Sequence, residues 1–370
     1  MSVINSPPHD YVMSVQAPVT ETAPQKSPVL VHRDMVSVVI PCYNEERFIG
    51  KALEQLADQF PPHLYEIIVV DGNSTDQTRS IIGVFQERHR ELTVAIVDNP
   101  ARNIPTALNL GISAARGTII ARMDAHAVPC DGYIQRCVEV LETTTNAGAV
   151  GMPCVVKPGS GTKMARAIAA AVSHPFGIGD AKYRLVSGGS QQESVDTVAF
   201  ACFKKSLWSE LGGFNESLLT NEDYEFNYRI RQSGRPVILD RGGYCEYFAR
   251  TTLSALAAQY WRYGGWKAQM LRLRPQSIKL RHAVAPLFVL SLLGLGIAGL
   301  AWAPARWLLL LEVSAYLLGA VVAGCHALSR DSRIGQVFLM PIVFATIHLT
   351  WGLSFLRQML RPRMRFETSS

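Results

Sequence analysis

Residues 117–126 read GTIIARMDAH. The apolar run Thr118–Met123 stops abruptly at Asp124, and a second metal-competent side chain, His126, follows two positions later. In extended chain, residues i and i+2 point to the same side, so Asp124 and His126 are able to converge on one cation at the end of a strand. A hard divalent ion held by so few protein groups keeps coordination positions open, and substrate phosphates commonly fill them. The same two side chains would also suit a strand-to-loop turn capped by short polar groups. The rest of the chain decides between these readings.

Working outward, Val36–Ile40, Ile67–Val70 and Val94–Val97 are further short, β-branched runs. Phe48–Phe60, Thr75–Arg88 and Ile104–Ala115 lie between them and read as helices. Short apolar strands alternating with helices predict an α/β fold, a mostly parallel sheet covered on both faces. In such sheets the ligand sits beyond the carboxyl ends of the strands, where Tyr43-Asn44-Glu45, Asp71, Asn99 and Asp124 would gather. Asp71-Gly72-Asn73 is equally compatible with a simple turn. Asp76 reads as a helix N-cap. The second half of the domain, Val150–Thr220, is expected to build the acceptor side. Within it Pro175–Glu193 carries Gly177, Gly179, Gly188 and Gly189 with Lys182 and Arg184. It reads as a loop that orders when substrate binds, or as an ordinary surface excursion.

The chain predicts five regions. Residues 1–34, with five prolines among Ser, Thr and Val, form a disordered tail with no signal-peptide pattern. Residues 35–250 form the catalytic domain, 251–282 an amphipathic interfacial segment, 283–357 a transmembrane region and 358–370 a basic tail. Ala283–Trp302, Arg306–Leu328 and Gly335–Leu356 are apolar over the roughly 20 residues that cross a bilayer core. The stretch Leu253–Leu271, with Tyr260, Trp261, Tyr263 and Trp266, suits a helix lying in the headgroup layer and broken near Gly264-Gly265. The net charge of +6 is concentrated around the spans, at Lys267, Arg272, Arg274, Lys279 and Arg281 before them and Arg357, Arg361, Arg363 and Arg365 after. Such clusters read as contacts to membrane lipids. No basic stripe with interleaved aromatics speaks for nucleic acid. Seven scattered cysteines without a C-x-x-C pair fit a reduced, cytosolic domain. The expected location is therefore the cell (inner or plasma) membrane, multi-pass, with two to three true spans. Three spans would place the arginine tail outside, against the positive-inside tendency. His348 inside the last span reads as a helix-packing contact or a functional group.

Several segments together resemble a known family. VSVVIPCYNEE (36–46), VDGNSTDQT (70–78), NPARNIPTALNLG (99–111), MDAH (123–126), LGGFNE (211–216) and NEDYEFNYR (221–229) resemble the family 2 inverting glycosyltransferases. The MDAHA form, with His126 where most relatives have a second aspartate, is most similar to the succinoglycan-biosynthesis, ExoA-type branch. The resemblance implies a GT-A fold, a nucleotide-diphosphate sugar donor, UDP-linked, and Mg²⁺ or Mn²⁺. Carried over residue by residue, it implies that Pro41, Tyr43 and Glu45 form the nucleotide-binding first loop and that Asp71 reads the uracil edge. Asp124 binds the metal on the diphosphate, with His126 either as a second ligand or leaving that position to water. Asp223 matches the catalytic base, beside Glu222 on the acceptor side. QYWRY (259–263) resembles a Q-x-x-R-W motif, in which Arg262 contacts the diphosphate and Tyr263 the acceptor.

Elementary chemistry asks for the same parts. An inverting transfer needs one base to deprotonate the attacking hydroxyl and positive charge at the departing diphosphate, from a metal with Arg102 or Arg262. Taken alone, Glu222-Asp223 would equally be favourable acids in the first turn of a helix, and Arg102 a solvated loop cation. The expected acceptor is a lipid-linked saccharide. Two alternatives stay open: direct transfer to polyprenyl phosphate, using the basic segment Lys267–Arg281, and a degenerate domain that binds a nucleotide or a partner without turnover and scaffolds a polysaccharide assembly.

Overall fold

The structure, a computed structural model, describes residues 34–185, 191–328 and 334–361. The N-terminal tail up to residue 33, the middle of the Gly/Ser-rich loop and the basic tail from residue 362 lie outside the described residues.

The first half winds as the hydrophobic pattern predicts: β1 (Val36–Cys42), α1 (Ile49–Ala57), β2 (Tyr65–Asp71), α2 (Thr78–Arg88), β3 (Thr93–Asp98), α3 (Ile104–Ala114) and β4 (Ile119–Arg122). β1 pairs in parallel with β2 and β4, and β2 with β3. Each β1 side chain is apolar or satisfied because both faces are covered. Val36, Val38 and Ile40 pack with Leu53 and Leu56 of α1 on one side. Val39 packs with Leu108 and Ile112 of α3 on the other.

The chain continues through β5 (Ala127–Pro129), α4 (Tyr133–Thr143), β6 (Ala149–Gly151), β7 (Cys154–Pro158), α5 (Lys163–Ala171), α6 (Pro175–Ile178), β8 (Gln192–Ser194), β9 (Cys202–Lys204), α7 (Lys205–Glu210), α8 (Glu222–Gln232), β10 (Val237–Asp240) and β11 (Cys245–Ala249). Among the described residues the main sheet has eight strands in the order β3-β2-β1-β4-β9-β6-β10-β8, and β5-β11-β7 form a small second sheet. The sheet is mixed. β9 runs antiparallel to β4 and β6, and β8 antiparallel to β10. The reason lies in the approach. The chain reaches β9 from Thr197–Phe200, which borders the cavity at the carboxyl edge, so it enters the sheet from that edge and must oppose β4.

Three long apolar helices follow: α10 (Leu280–Ala298), α11 (Ala303–Leu328) and α12 (Met340–Leu360), preceded by α9 (Leu253–Leu273). By length and composition, three segments suit a bilayer crossing: Leu280–Ala298, Ala303–Ala327 and Val337–Leu360. Leu287, Leu290, Leu293 and Ile297 of α10 and Trp307, Leu310 and Leu311 of α11 are exposed, which in water would be costly over so contiguous a surface.

Two expectations change here. α9 is not broken at Gly264-Gly265 but runs on for 21 residues. The glycine serves close approach instead: a Cβ at Gly264 would lie 2.2 Å from the Trp351 carbonyl oxygen of α12. The basic residues before the first span also do not all face headgroups. Lys267 is 7% exposed. Arg272 Nη2 donates to the carbonyls of Met359 and Arg361 at 2.6 Å, satisfying groups that every helix end leaves unpaired. Arg281 pairs with Asp180 and Asp196, and Arg274 lies 3.5 Å from Glu225. His348 is a packing contact, its two ring nitrogens 2.8 Å from Tyr316 Oη and the Phe176 carbonyl. That bond also shows that Pro175–Leu185 is not a free excursion: α6 is pinned against α11 and α12.

Candidate active site

The loops after β1 and β2 are stitched together before any ligand arrives. Asn44 adopts φ 54°, its amide N–H donates to Ser74 Oγ, and its side-chain oxygen accepts from Thr75 N, both at 2.8 Å. Asp76 accepts from Glu46 N at 3.2 Å and from Thr78 N at 3.0 Å, but it is not the N-cap expected: Gln77 holds that position, without a side-chain cap bond, and Asp76 stands one residue before it. Asp71 is fully buried. Its carboxylate accepts from Ser74 N at 3.0 Å, Ser74 Oγ at 2.5 Å and Arg79 Nε at 2.6 Å, so in this state it organises the turn. Tyr43 is exposed and stands against Gly72. The Arg102 guanidinium lies 5.4 Å from the Tyr43 ring centre, and its Nε donates to Gly72 O at 3.0 Å. Tyr43, Gly72 and Arg102 thus make one wall at the ends of β1 and β2. Pro41 lies in β1 opposite Val70 and outside the cavity lining.

A cavity of about 1440 Å³ opens along the carboxyl edge, and Arg102, Asp124, His126, Glu222, Asp223, Arg262 and Tyr263 all line it. Pro41, Tyr43, Glu45 and Asp71 do not, although Glu45 Oε1 lies 3.1 Å from His126 Nδ1. Burial opposes a charge on His126, but Glu45 and Asp124 outweigh it and raise its pKa. Tyr263 Oη accepts from Gln259 Nε2 at 2.9 Å, and Gln259 also donates to Tyr247 Oη at 3.0 Å.

The group that joins these parts is Arg122, at the end of β4. Its side chain is 8% exposed, with Nη2 3.4 Å from Asp124 Oδ1 and 3.0 Å from Glu222 Oε1, and Nη1 3.7 Å from Asp223 Oδ2. Burial works against the guanidinium charge, and the three carboxylates more than restore it. Asn221, at φ 66°, turns the chain into α8 and presents Glu222 and Asp223 to that cation. Burial pushes the Glu222 carboxyl up to about 7 against the opposing pull of Arg122. Asp223 is the more open of the two, its side chain 35% exposed, with Oδ1 accepting from Tyr224 N at 2.7 Å.

Sequence reasoning missed Arg122, named Arg184 only as part of the Gly-rich loop, and named Lys267 only within the basic segment of the polyprenyl-phosphate alternative. Arg184 lies 5.6 Å from the Tyr247 ring centre and lines the cavity with Lys267. Only Arg122 carried a local signal, a basic residue inside a buried apolar strand, since such a charge is almost never buried unpaired.

Residues 37–209 match the family model described as glycosyl transferase family 2. These residues form a glycosyltransferase family 2 domain. Among family 2 relatives, the succinoglycan biosynthesis protein ExoA of Rhizobium meliloti (strain 1021) is 28% identical over 336 residues, 89% of this chain and 96% of that protein. A transferase of Methanococcus voltae is 24% identical over 341 residues, 90% of this chain and all of that protein. Its name gives its activity as dolichyl N-acetyl-α-D-glucosaminyl phosphate 3-β-D-2,3-diacetamido-2,3-dideoxy-β-D-glucuronosyltransferase. In fold the chain is like the mannosyltransferase PcManGT of Pyrobaculum calidifontis, solved with GDP-Man and Mn²⁺, with TM-score 0.58 and 20% identity over 89% of this chain and 88% of that one. The family 2 domain here is thus a GT-A fold followed by three helices long enough to cross a membrane.

Asp124 and His126 line the same cavity and are the carboxylate and imidazole that would hold a divalent cation there. Among the described residues there is no cluster of three or more His, Cys, Asp or Glu groups placed to hold a metal ion.

Proposed function

We propose that the chain is a membrane-anchored, inverting glycosyltransferase that moves a sugar from a UDP-linked donor to a saccharide carried on a lipid phosphate, with the catalytic domain in the cytosol. The observation that carries this reading is the convergence of Asp124 and Asp223 on Arg122, in a cavity that continues to the apolar helices. The Methanococcus relative supports the acceptor class, because its named substrate is a sugar on dolichyl phosphate.

Asp223 takes the proton of the attacking hydroxyl, whose oxygen forms the new bond to the anomeric carbon as the bond to the nucleotide diphosphate breaks on the opposite face. Arg122, 3.7 Å away, orients that base. Mg²⁺ or Mn²⁺ bound by Asp124 and His126 would supply positive charge at the departing diphosphate. Arg102 and Arg262 add cations to the same cavity, Tyr43 and Glu45 shape the nucleotide side through Arg102 and His126, and Pro41 with Asp71 fixes the loops that carry them. Asp71 meets a uracil edge only if Ser74 or Arg79 yields a bond. Glu222 and Tyr263 bound the acceptor side.

The test is thermal stabilisation of the detergent-purified protein by UDP, GDP and UDP-sugars, with and without Mn²⁺ or Mg²⁺, since a ligand that binds only the folded state raises its apparent stability. A metal-dependent shift with UDP and one UDP-sugar is expected. No shift with any nucleotide overturns the reading and leaves the scaffold alternative.

A further inference from the structure

Among the described residues Lys267 is a buried cation with no ion-pair partner. It sits on α9, 7% exposed, and lines the catalytic cavity. Its Nζ lies 3.4 Å from the centre of the Tyr224 ring and 3.9 Å from Met270 Sδ. Among the described residues no carboxylate comes within ion-pair distance of it. An ammonium withdrawn from water with only an aromatic face for company is costly. Burial lowers its pKa to about 7, against the pull of Asp223 and Asp196, neither of which is close enough for an ion pair. The other cations before the first span are different: Arg281 is taken by Asp180 and Asp196, and Lys279 lies 3.8 Å from Asp196.

The position of Lys267 along the cavity says which anion. Tyr224, which covers it, follows the base Asp223 directly, and packs at 5.7 Å on His282 in the first turn of α10. From there the lining turns apolar and aromatic, through Val284, Phe288, Tyr316, Ile347 and Trp351 of α10, α11 and α12. Phe288 and Tyr316 stack at 4.6 Å. A path from the catalytic site therefore meets first an unpaired buried cation and then a hydrocarbon-like trough between membrane-length helices. That is the order of groups in a sugar, phosphate and isoprenoid chain.

We propose that Lys267 binds the phosphate of the acceptor's lipid carrier, with Lys279 and Arg281 flanking it, and that the carrier's isoprenoid tail lies along Val284, Phe288, Tyr316, Ile347 and Trp351. This rests on the transferase reading above and adds to it the residue that recognises the carrier.

The test uses the full chain in maltoside detergent with farnesyl diphosphate as the probe, farnesol and inorganic diphosphate as controls, and the fluorescence of Trp266 and Trp351 as the readout. Farnesyl diphosphate is expected to bind at least about tenfold more tightly than farnesol, the scale of a charge-assisted contact. Lys267→Met removes that advantage, leaves farnesol affinity as it was, and leaves Mn²⁺-dependent UDP binding intact, which also reports that the variant is folded. Lys279→Gln, at the exposed rim, weakens farnesyl diphosphate binding by less. Unchanged farnesyl diphosphate affinity in Lys267→Met overturns the proposal. So does inorganic diphosphate competing as well as the farnesyl compound, which would make this a free-anion site. Loss of UDP binding in Lys267→Met, with its melting temperature retained, would assign the lysine to the donor instead. If the wild type binds no UDP, the transferase reading itself falls. If it binds UDP but not farnesyl diphosphate, only this inference does.

Discussion

Arg122 Nη2 stands 3.0 Å from Glu222 Oε1, joining the end of β4 to the first residue of α8 across 100 positions of sequence. Both side chains are almost fully buried, so the pair is a structural strut between the first and second halves of the domain. Removing one partner of a buried ion pair strands the other charge, at a cost of roughly 3–5 kcal/mol. Arg122→Met is expected to lower the melting temperature of the purified protein sharply, and adding Glu222→Gln to it should recover part of the loss. A melting temperature within a degree or so of wild type would remove the strut.

Asp223→Asn keeps the shape of the side chain and removes its basicity. Transfer is expected to fall by a factor of about 10²–10⁴, the usual worth of a general base, while metal-dependent UDP binding stays within about twofold, on the scale where tenfold is 1.4 kcal/mol. Near-normal turnover in Asp223→Asn would move the base elsewhere, with Glu222 the next candidate.

Glu222 makes stability depend on pH in the opposite sense to an ordinary ion-paired acid. Its folded pKa is raised from 4.5 to about 7, chiefly by burial. The folded state holds this proton more tightly than the unfolded chain, so the stability it contributes is complete below about pH 4.5 and is lost as pH rises through about 7. The difference in melting temperature between wild type and Glu222→Gln should therefore shift against the wild type across that window. A constant difference would mean that Glu222 is ionised throughout, held so by Arg122.

Much of this arrangement was legible. The apolar runs located β1 to β4 because buried parallel strands leave little choice of residue, and Asp124, His126, Glu222 and Asp223 do face one cavity. What escaped depends on contacts between distant segments. Arg122 looked like one basic residue in a strand, because the acids that hold it come from α8. Lys267 looked like a headgroup anchor, because basic residues before an apolar helix usually are, and only Tyr224 packed over it shows otherwise. β9 fits any apolar strand pattern, and its direction comes from where the chain enters the sheet.

His126→Asp probes why this chain carries an imidazole where a second carboxylate would do. Mg²⁺ prefers oxygen ligands in a strict octahedron, whereas imidazole suits softer transition ions. The substitution is expected to raise Mg²⁺-supported activity relative to Mn²⁺-supported activity by several-fold, and to remove any pH dependence that comes from the imidazole of His126, whose pKa Glu45 and Asp124 raise. An unchanged metal preference would place His126 outside the coordination sphere, as a partner of Glu45 alone.

Two glycines in the C-terminal helices should respond to the same substitution with opposite signs. Ala exceeds Gly in helix propensity by about 1 kcal/mol, so replacement in open surroundings stabilises. Gly294 of α10 is such a site, with nothing within 4 Å of where a Cβ would stand. At Gly264 the added Cβ would meet the Trp351 backbone, 2.2 Å from its oxygen and 3.0 Å from its carbonyl carbon. Backbone cannot step aside without moving α12, and forced overpacking costs about 1–3 kcal/mol. Gly264→Ala should therefore melt at a lower temperature than wild type and Gly294→Ala at the same or a higher one, both measured in one detergent. If Gly264→Ala instead stabilises, α9 does not pack on α12 at this distance. The catalytic cavity would then lose the wall formed by Arg262, Tyr263 and Lys267.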